Sequence, residues 1–132
     1  MNQQALELQQ RTHSFFVRVI QFCEKLPSGS AVQSIRLQLI DSAGSTDSNY
    51  RAACKARTRK EFIAKIGVAA EEADESYGWL RALLHTGYGE RDETQALVEE
   101  ADALTRIFVA SHKTAQKRLV AAQLEKRRRR RR

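Results

Sequence analysis

Residues 58–84, TRKEFIAKIGVAAEEADESYGWLRALL, decide the fold because they read as one long amphipathic helix. Apolar side chains recur there every three or four residues, which places them on a single helix face. They are Phe62, Ile66, Ala69, Ala73, Tyr77, Leu80 and Leu84. Thr58 and Glu61 have the spacing of a capping box, and Gly87 is suited to end the helix. The stretch therefore predicts one helix that begins at the cap and ends before the glycine.

Three further helices are predicted around this one, over about residues 3–25, 30–56 and 92–125. The turn signals between them are the residues 27–30 (PSGS), Arg57 and residues 86–90. The chain has one proline and six glycines, and helix-forming residue types dominate its composition. Four helices with short connections predict an all-α fold, an antiparallel up-down-up-down four-helix bundle.

The weakest helical segment is 41–49, DSAGSTDSN, which has poor local propensity. We nevertheless expect it to be helical, because apolar and small residues keep the helical spacing straight through it. Its small side chains would let another helix approach closely, with hydroxyl groups bonded to carbonyls one turn earlier.

The first helix carries two adjacent apolar stripes. One stripe is Leu8, Phe15, Val19, Phe22 and Leu26; the other is His13, Phe16, Val17, Ile20 and Cys23. The combined arc is wider than one bundle contact needs. This helix either lies deep in the core or also faces a second subunit.

Charge divides the chain into a bundle, residues 1–125, and a basic tail, residues 126–132, which we expect to be disordered. The net charge is +7, and the tail alone holds seven of the 23 Lys and Arg residues. The remaining 16 basic residues equal the 16 acidic ones, so the bundle is neutral as a whole. Its charges are segregated, however: 51–65 is mainly basic, whereas 71–75 and 90–102 are mainly acidic. Such poles favour self-assembly or a polyanionic ligand.

Several function classes have no support in the sequence. There is no apolar run long enough to span a membrane, and the first residues lack the order of a signal peptide, which predicts a cytoplasmic protein. Cys23 and Cys54 lie inside predicted helices and are expected to be buried thiols rather than a disulfide. No phosphate-binding loop or nucleophile–histidine arrangement is readable, so we expect no enzyme activity and no cofactor. None of the three histidines has a glutamate three residues before it, so we expect no metal site.

Other polar and aromatic residues have two interpretations each. Glu71, Glu72 and Glu75 are expected to form a solvated face or to pair with basic residues of the neighbouring helix, and Asp74 is expected to be partly buried and paired. The candidate basic partners are Arg51, Lys55 and Arg57. Trp79, beside Gly78, is expected either to fill the core or to contact another subunit.

The second and third helices resemble a known family. The residues that carry the resemblance are Gln38-Leu39, Ser42–Ser45, Ser48–Ala53, Ala56-Arg57, Glu61-Phe62, Glu71–Ser76 and Trp79-Leu80. Their pattern is similar to the bacterial four-helix-bundle proteins related to the 23S rRNA intervening-sequence protein. The resemblance implies an antiparallel bundle and assembly into rings, notably homopentamers. More distant relatives include the accessory protein of diversity-generating retroelements, which binds nucleic acid and a reverse transcriptase.

Basic side chains are the candidate binding residues. The candidates are Arg51, Lys55, Arg57, Arg59, Lys60, Lys113, Lys117, Arg118, Lys126, Arg127, Arg128, Arg129, Arg130, Arg131 and Arg132. Each contact with a phosphate adds salt-dependent affinity without sequence preference. We therefore expect a non-enzymatic homo-oligomer that binds RNA or DNA, as an accessory to an RNA or retroelement process. The alternative is a scaffold for a protein partner, with a tail that only keeps the protein soluble.

Overall fold

A computed structural model describes residues 2–132 and contains four α-helices. They are α1 (Gln3–Glu24), α2 (Ser30–Cys54), α3 (Arg59–Thr86) and α4 (Arg91–Arg131). Each helix packs against its neighbours in the chain, and α1 also packs against α4, which closes the bundle. The predicted all-α, antiparallel up-down-up-down four-helix bundle is confirmed.

Local chemistry fixes the ends of α3. The Thr58 hydroxyl accepts a hydrogen bond from the Glu61 N–H at 3.0 Å, as the capping-box spacing predicts. The Glu61 carboxylate accepts from the N–H of Arg57 at 3.1 Å, one residue earlier than the capping box requires. Gly87 ends the helix with a φ of +79°, a left-handed conformation that glycine adopts at little cost.

The core runs along one face of each helix, and α3 supplies its centre. The fully buried positions of α3 include Ile66, Ala69, Ala73, Leu80 and Leu83. In the second half of α3, the buried face differs from the predicted one by about one residue. Tyr77 and Leu84 are only half-buried, whereas Leu83 is fully buried.

A buried serine pair explains that difference. Ser76 is fully buried and its hydroxyl lies 2.7 Å from the hydroxyl of Ser42 on α2. Ser76 also donates to the carbonyl of Glu72, and Thr46 donates to the carbonyl of Ser42. These bonds satisfy the buried hydroxyls, so polar residues occupy a place that periodicity alone assigns to apolar ones.

The polar segment 41–49 is helical, as predicted, and it is packed closely. Gly44 is the point of closest approach, since a Cβ atom there would lie 3.0 Å from the Phe16 ring of α1. The small residues therefore compensate for their weak helix propensity by allowing α1 and α2 to pack tightly.

The second stripe of α1 is split by the fold. Cys23 is buried and Phe16 is half-buried, whereas His13, Val17 and Ile20 are exposed. The single subunit thus leaves part of this apolar arc uncovered.

Candidate nucleic-acid interface

The basic side chains expected to bind nucleic acid form two groups, which we name the basic end and the basic extension. The basic end is Arg51, Lys55, Arg57, Arg59, Lys60, Lys113, Lys117 and Arg118, on the last turn of α2, the α2–α3 turn, the start of α3 and the second half of α4. The basic extension is residues 126–132. All of these side chains are exposed. None of the eight at the basic end pairs with a carboxylate within residues 2–132.

Arg59 links the α2–α3 turn to α4. Its Nη1 donates a hydrogen bond to the backbone carbonyl oxygen of Arg118 at 3.0 Å. Arg57, Arg59 and Arg118 line a single cavity, although Arg118 is 59 residues distant from Arg59 in sequence. Among the described residues these three guanidinium groups form no ion pair with a carboxylate, so they concentrate positive charge at that cavity, although the Glu61 carboxylate lies at the same turn.

The basic extension is helical, which corrects the expectation of a disordered tail. The structure continues α4 to Arg131. Arg128 and Arg129 each form an ion pair with Glu125 one turn earlier, at 3.2 Å. Arginine has high helix propensity, and cations at a helix C-terminus interact favourably with its dipole. These local effects explain why the charged run extends the helix.

The second half of α4 projects beyond the bundle. Gly67 of α3 faces His112, and Arg59 near the start of α3 reaches Arg118. The eleven residues 121–131 therefore lie past the start of α3, a length of about 16 Å at the rise of an α-helix. The extension presents its arginines on a protruding rod rather than on the body of the bundle.

A cavity of about 880 Å³ opens at the basic end, and we name it the end cavity. It lies between the start of α1, the α2–α3 turn and α4. Its lining comprises Asn2, Gln4, Ala5, Leu8, Tyr50, Ala53, Cys54, Ala56, Arg57, Thr58, Arg59, Phe62, Ile107, Ala110, Ser111, Thr114, Ala115 and Arg118. Sequence reasoning did not predict this cavity. The available signal was that the buried side chains of α4, which end at Phe108, are followed by the small residues Ser111 and Ala115.

Tyr50 lines the end cavity and joins it to the core. The Tyr50 ring stacks on Phe108, with centroids 5.1 Å apart and planes inclined by 28°. Burial is the main cause that raises the pKa of Tyr50, and a hydrogen bond with Cys54 contributes. The Tyr50 hydroxyl is therefore neutral and can donate or accept hydrogen bonds.

The acidic residues of α3 lie on the surface of the bundle, except for Glu72, which is half-buried. Glu71, Asp74 and Glu75 are exposed, so the expected burial of Asp74 is wrong. Burial raises the pKa of Glu72, and the adjacent Glu75 adds to the effect. Across residues 2–132, no three His, Cys, Asp or Glu side chains cluster as a metal site would require.

The buried acid is Asp47, which the sequence did not single out. Its carboxylate lies 2.8 Å from Nδ1 of His13, across the α1–α2 contact. Two ion pairs hold α1 to α4: Arg11 with Glu100, and Lys25 with Glu93. Carboxylates therefore pair with cations along the α1–α4 contact, whereas the cations of the basic end form no such pairs among the described residues.

Three further expectations have structural outcomes. Cys23 and Cys54 are both free thiols, as predicted, and Cys23 is buried. Cys54 is only half-buried, which corrects the expectation that both are buried. Trp79 packs against the core and is half-buried, and its indole N–H finds no acceptor in the part of the chain that the structure describes. No helix among the described residues is long and apolar enough to cross a membrane.

Comparison with known proteins agrees with this architecture. A sequence profile described as the 23S rRNA-intervening sequence protein matches residues 4–110. Among solved structures, the chain is similar to a protein of unknown function from the S23 ribosomal protein family of Bacteroides thetaiotaomicron, at 23% identity and a TM-score of 0.71. That likeness covers 83% of this chain and 97% of the other, and it bears on the fold alone. No curated protein matches the chain.

The profile match ends before Lys113, so the basic half of α4 lies outside it. The match nevertheless covers nearly all of α1, the whole of α2 and α3 with the turn between them, and about the first half of α4. On this basis, the chain belongs to the 23S rRNA-intervening sequence protein family.

Proposed function

We propose that this protein is a non-enzymatic, homo-oligomeric bundle, a pentameric ring, that binds nucleic acid through the basic end and the basic extension. One observation carries the proposal: eight exposed cations lie at one end of the molecule without an acidic partner among the described residues. Clustered like charges repel one another, and a polyanion relieves that repulsion. The family name, with its reference to an rRNA intervening sequence, supports RNA as the first ligand to test.

Electrostatic binding of this kind is tolerant of sequence. Lysine and arginine contacts to phosphate release counterions, so the affinity falls steeply as salt rises. The basic extension adds seven charges on a projecting helix, and a ring would carry several such helices. Multiple weak contacts on one strand then act together. We propose a role as an accessory to an RNA or retroelement process on this basis.

Assembly is supported by apolar side chains that one subunit leaves exposed. Val17 and Ile20 on α1 are exposed, and Leu37 on α2 is 55% exposed. Apolar surface of this kind favours contact with another protein surface. A second copy of the chain is the occupant we propose.

A second candidate function is a scaffold for a protein partner without a nucleic-acid role. The observation that favours it is an apolar groove between Ile63 of α3 and the part of α4 around Val120 and Leu124, both of which are more than half exposed. Phosphate groups do not require such a surface, whereas a partner helix does.

Binding of labelled single-stranded RNA to the full chain, over a series of salt concentrations, tests the proposal. We expect binding that weakens steeply with salt, and a smaller salt dependence for a chain that ends at Glu125. Residues 126–132 are exposed, so this truncation leaves the core intact. Unchanged binding by the truncated chain would assign the contacts to the basic end. No binding by the full chain at moderate salt, together with capture of one specific protein, would favour the scaffold.

A further inference from the structure

The end cavity has a size and lining unlike a simple packing defect. Its volume of about 880 Å³ lies within the range of small-molecule sites in proteins, roughly 300–1,000 Å³. Engineered core cavities are far smaller, about 150 Å³. The cavity therefore has room for a ligand with the dimensions of a nucleotide.

The cavity exists because of where the helices end and which residues line them. Beyond Phe108, the inner face of α4 carries Ser111 and Ala115, which are too small to fill the space. On the opposite wall, Ala53 and Ala56 are equally small. Since α1 begins at Gln3 and α2 ends at Cys54, no further helical turn covers this part of α4. The result is an open chamber at the end of the core.

The chemistry of the cavity changes from its floor to its rim. Tyr50 and Phe62 supply aromatic surface inside, together with Leu8 and Ile107. Arg57 and Arg59 supply positive charge, and so does Arg118. No acidic side chain is among the described residues that line it. An aromatic, apolar interior with a cationic rim matches a planar base attached to a phosphate.

We propose that the end cavity binds one unpaired nucleotide of a single-stranded nucleic acid. The base enters the cavity and packs against Tyr50 and Phe62, while the adjacent phosphates contact the three arginines. Asn2, Ser111 and Thr114 offer hydrogen bonds to base edges. A paired base within a duplex has both faces stacked and cannot enter. This inference rests on the proposed function and adds a preference for single-stranded or looped segments.

The test compares one labelled RNA as a single strand and as a duplex, at equal salt. We expect the unaltered chain to bind the single strand on the order of tenfold more tightly, the effect of about one stacked base. Ser111→Leu fills the cavity without changing charge and should bring the single strand to the affinity of the duplex. Ala96→Leu, an exposed position of α4 outside the cavity, is the matched control and should keep the preference.

A second measurement uses the unaltered chain, so it does not depend on the folding of a variant. Cys54 lines the cavity, whereas Cys23 is buried in the core. Single-stranded RNA should slow the reaction of Cys54 with N-ethylmaleimide severalfold, and the duplex should not. Salt-dependent binding with equal affinity for both RNA forms would overturn this inference and leave the proposed function standing. Absence of binding to either form would overturn both.

Discussion

Neutralising the three arginines at the rim of the end cavity should remove a defined part of the salt dependence of RNA binding. The variant is Arg57→Gln/Arg59→Gln/Arg118→Gln. All three side chains are exposed, and within residues 2–132 the one side-chain hydrogen bond lost is that from Arg59 to the Arg118 carbonyl. That loss costs about 1 kcal/mol of stability, a typical value for one hydrogen bond.

The expected magnitude follows from the number of phosphates contacted. If each arginine contacts one phosphate, the slope of log affinity against log salt falls by about 0.7 per contact for a single strand, or about 2 in total. If the affinities converge at about 1 M salt, the variant binds about 100-fold more weakly at about 0.1 M. Fluorescence anisotropy with a labelled single-stranded RNA measures both quantities.

The matched control removes the same charge elsewhere. Arg81→Gln/Arg91→Gln/Arg106→Gln changes three exposed arginines that lie outside the basic end. Only the Arg106–Asp102 pair is lost among ion pairs, and exposed pairs of this type contribute about 0.3–0.5 kcal/mol. The control should keep the slope of the unaltered chain. Equal losses in both triple variants would show that net charge alone matters and would refute the assignment to the rim.

Three further predictions concern stability and reactivity. Gly78→Ala should raise the free energy of unfolding by about 1 kcal/mol, because alanine favours helix and, apart from the adjacent residues and the helix's own backbone, no described atom lies within 4 Å of the new Cβ. A thermal melt measures the change, and a lowered melting temperature would contradict this prediction. Burial and the neighbouring Glu75 raise the pKa of Glu72, so the folded state favours its protonated form and loses stability as pH rises through that pKa. Glu72→Gln should therefore stabilise the protein near neutral pH but not near about pH 3, where both states are protonated, and an equal gain at both would count against it. Burial raises the pKa of Cys23 to about 11, so brief alkylation near neutral pH should label Cys54 alone, as peptide mass spectrometry would reveal.

The helices could be predicted because their signals are local. Thr58, Gly87 and the apolar periodicity set the ends and face of α3, and the structure has that helix between the same cap residues. The polar segment 41–49 is helical although its helix propensity is poor. Close packing of its small residues against Phe16 stabilises the helix, and helical periodicity was the signal that predicted it.

The features that sequence reasoning missed depend on contacts between distant residues. His13 and Asp47 are 34 residues apart, and neither has a local signal for the pair they form. The end cavity arises from the relative positions of the start of α1, the α2–α3 turn and the middle of α4, which no single segment encodes. The basic extension was misjudged because a run of like charges is typical of disorder, whereas pairing with Glu125 and continuity with α4 favour helix.

The sequence identifies the basic residues of α4, but only the structure shows which residues of other helices lie beside them. Arg118 meets Arg59 only because α3 and α4 are antiparallel and in a register that brings Gly67 opposite His112. Composition identifies the charges, but the helix register decides which of them share a surface.

Ultraviolet cross-linking of the full chain to single-stranded RNA, with the cross-linked peptides identified by mass spectrometry, tests the central claim most directly. We predict cross-links within residues 50–62 and 107–132, the segments that form the end cavity, the basic end and the basic extension. Cross-links confined to the acidic segments 71–75 and 90–102, or none at moderate salt, would contradict the claim that this end of the bundle binds nucleic acid.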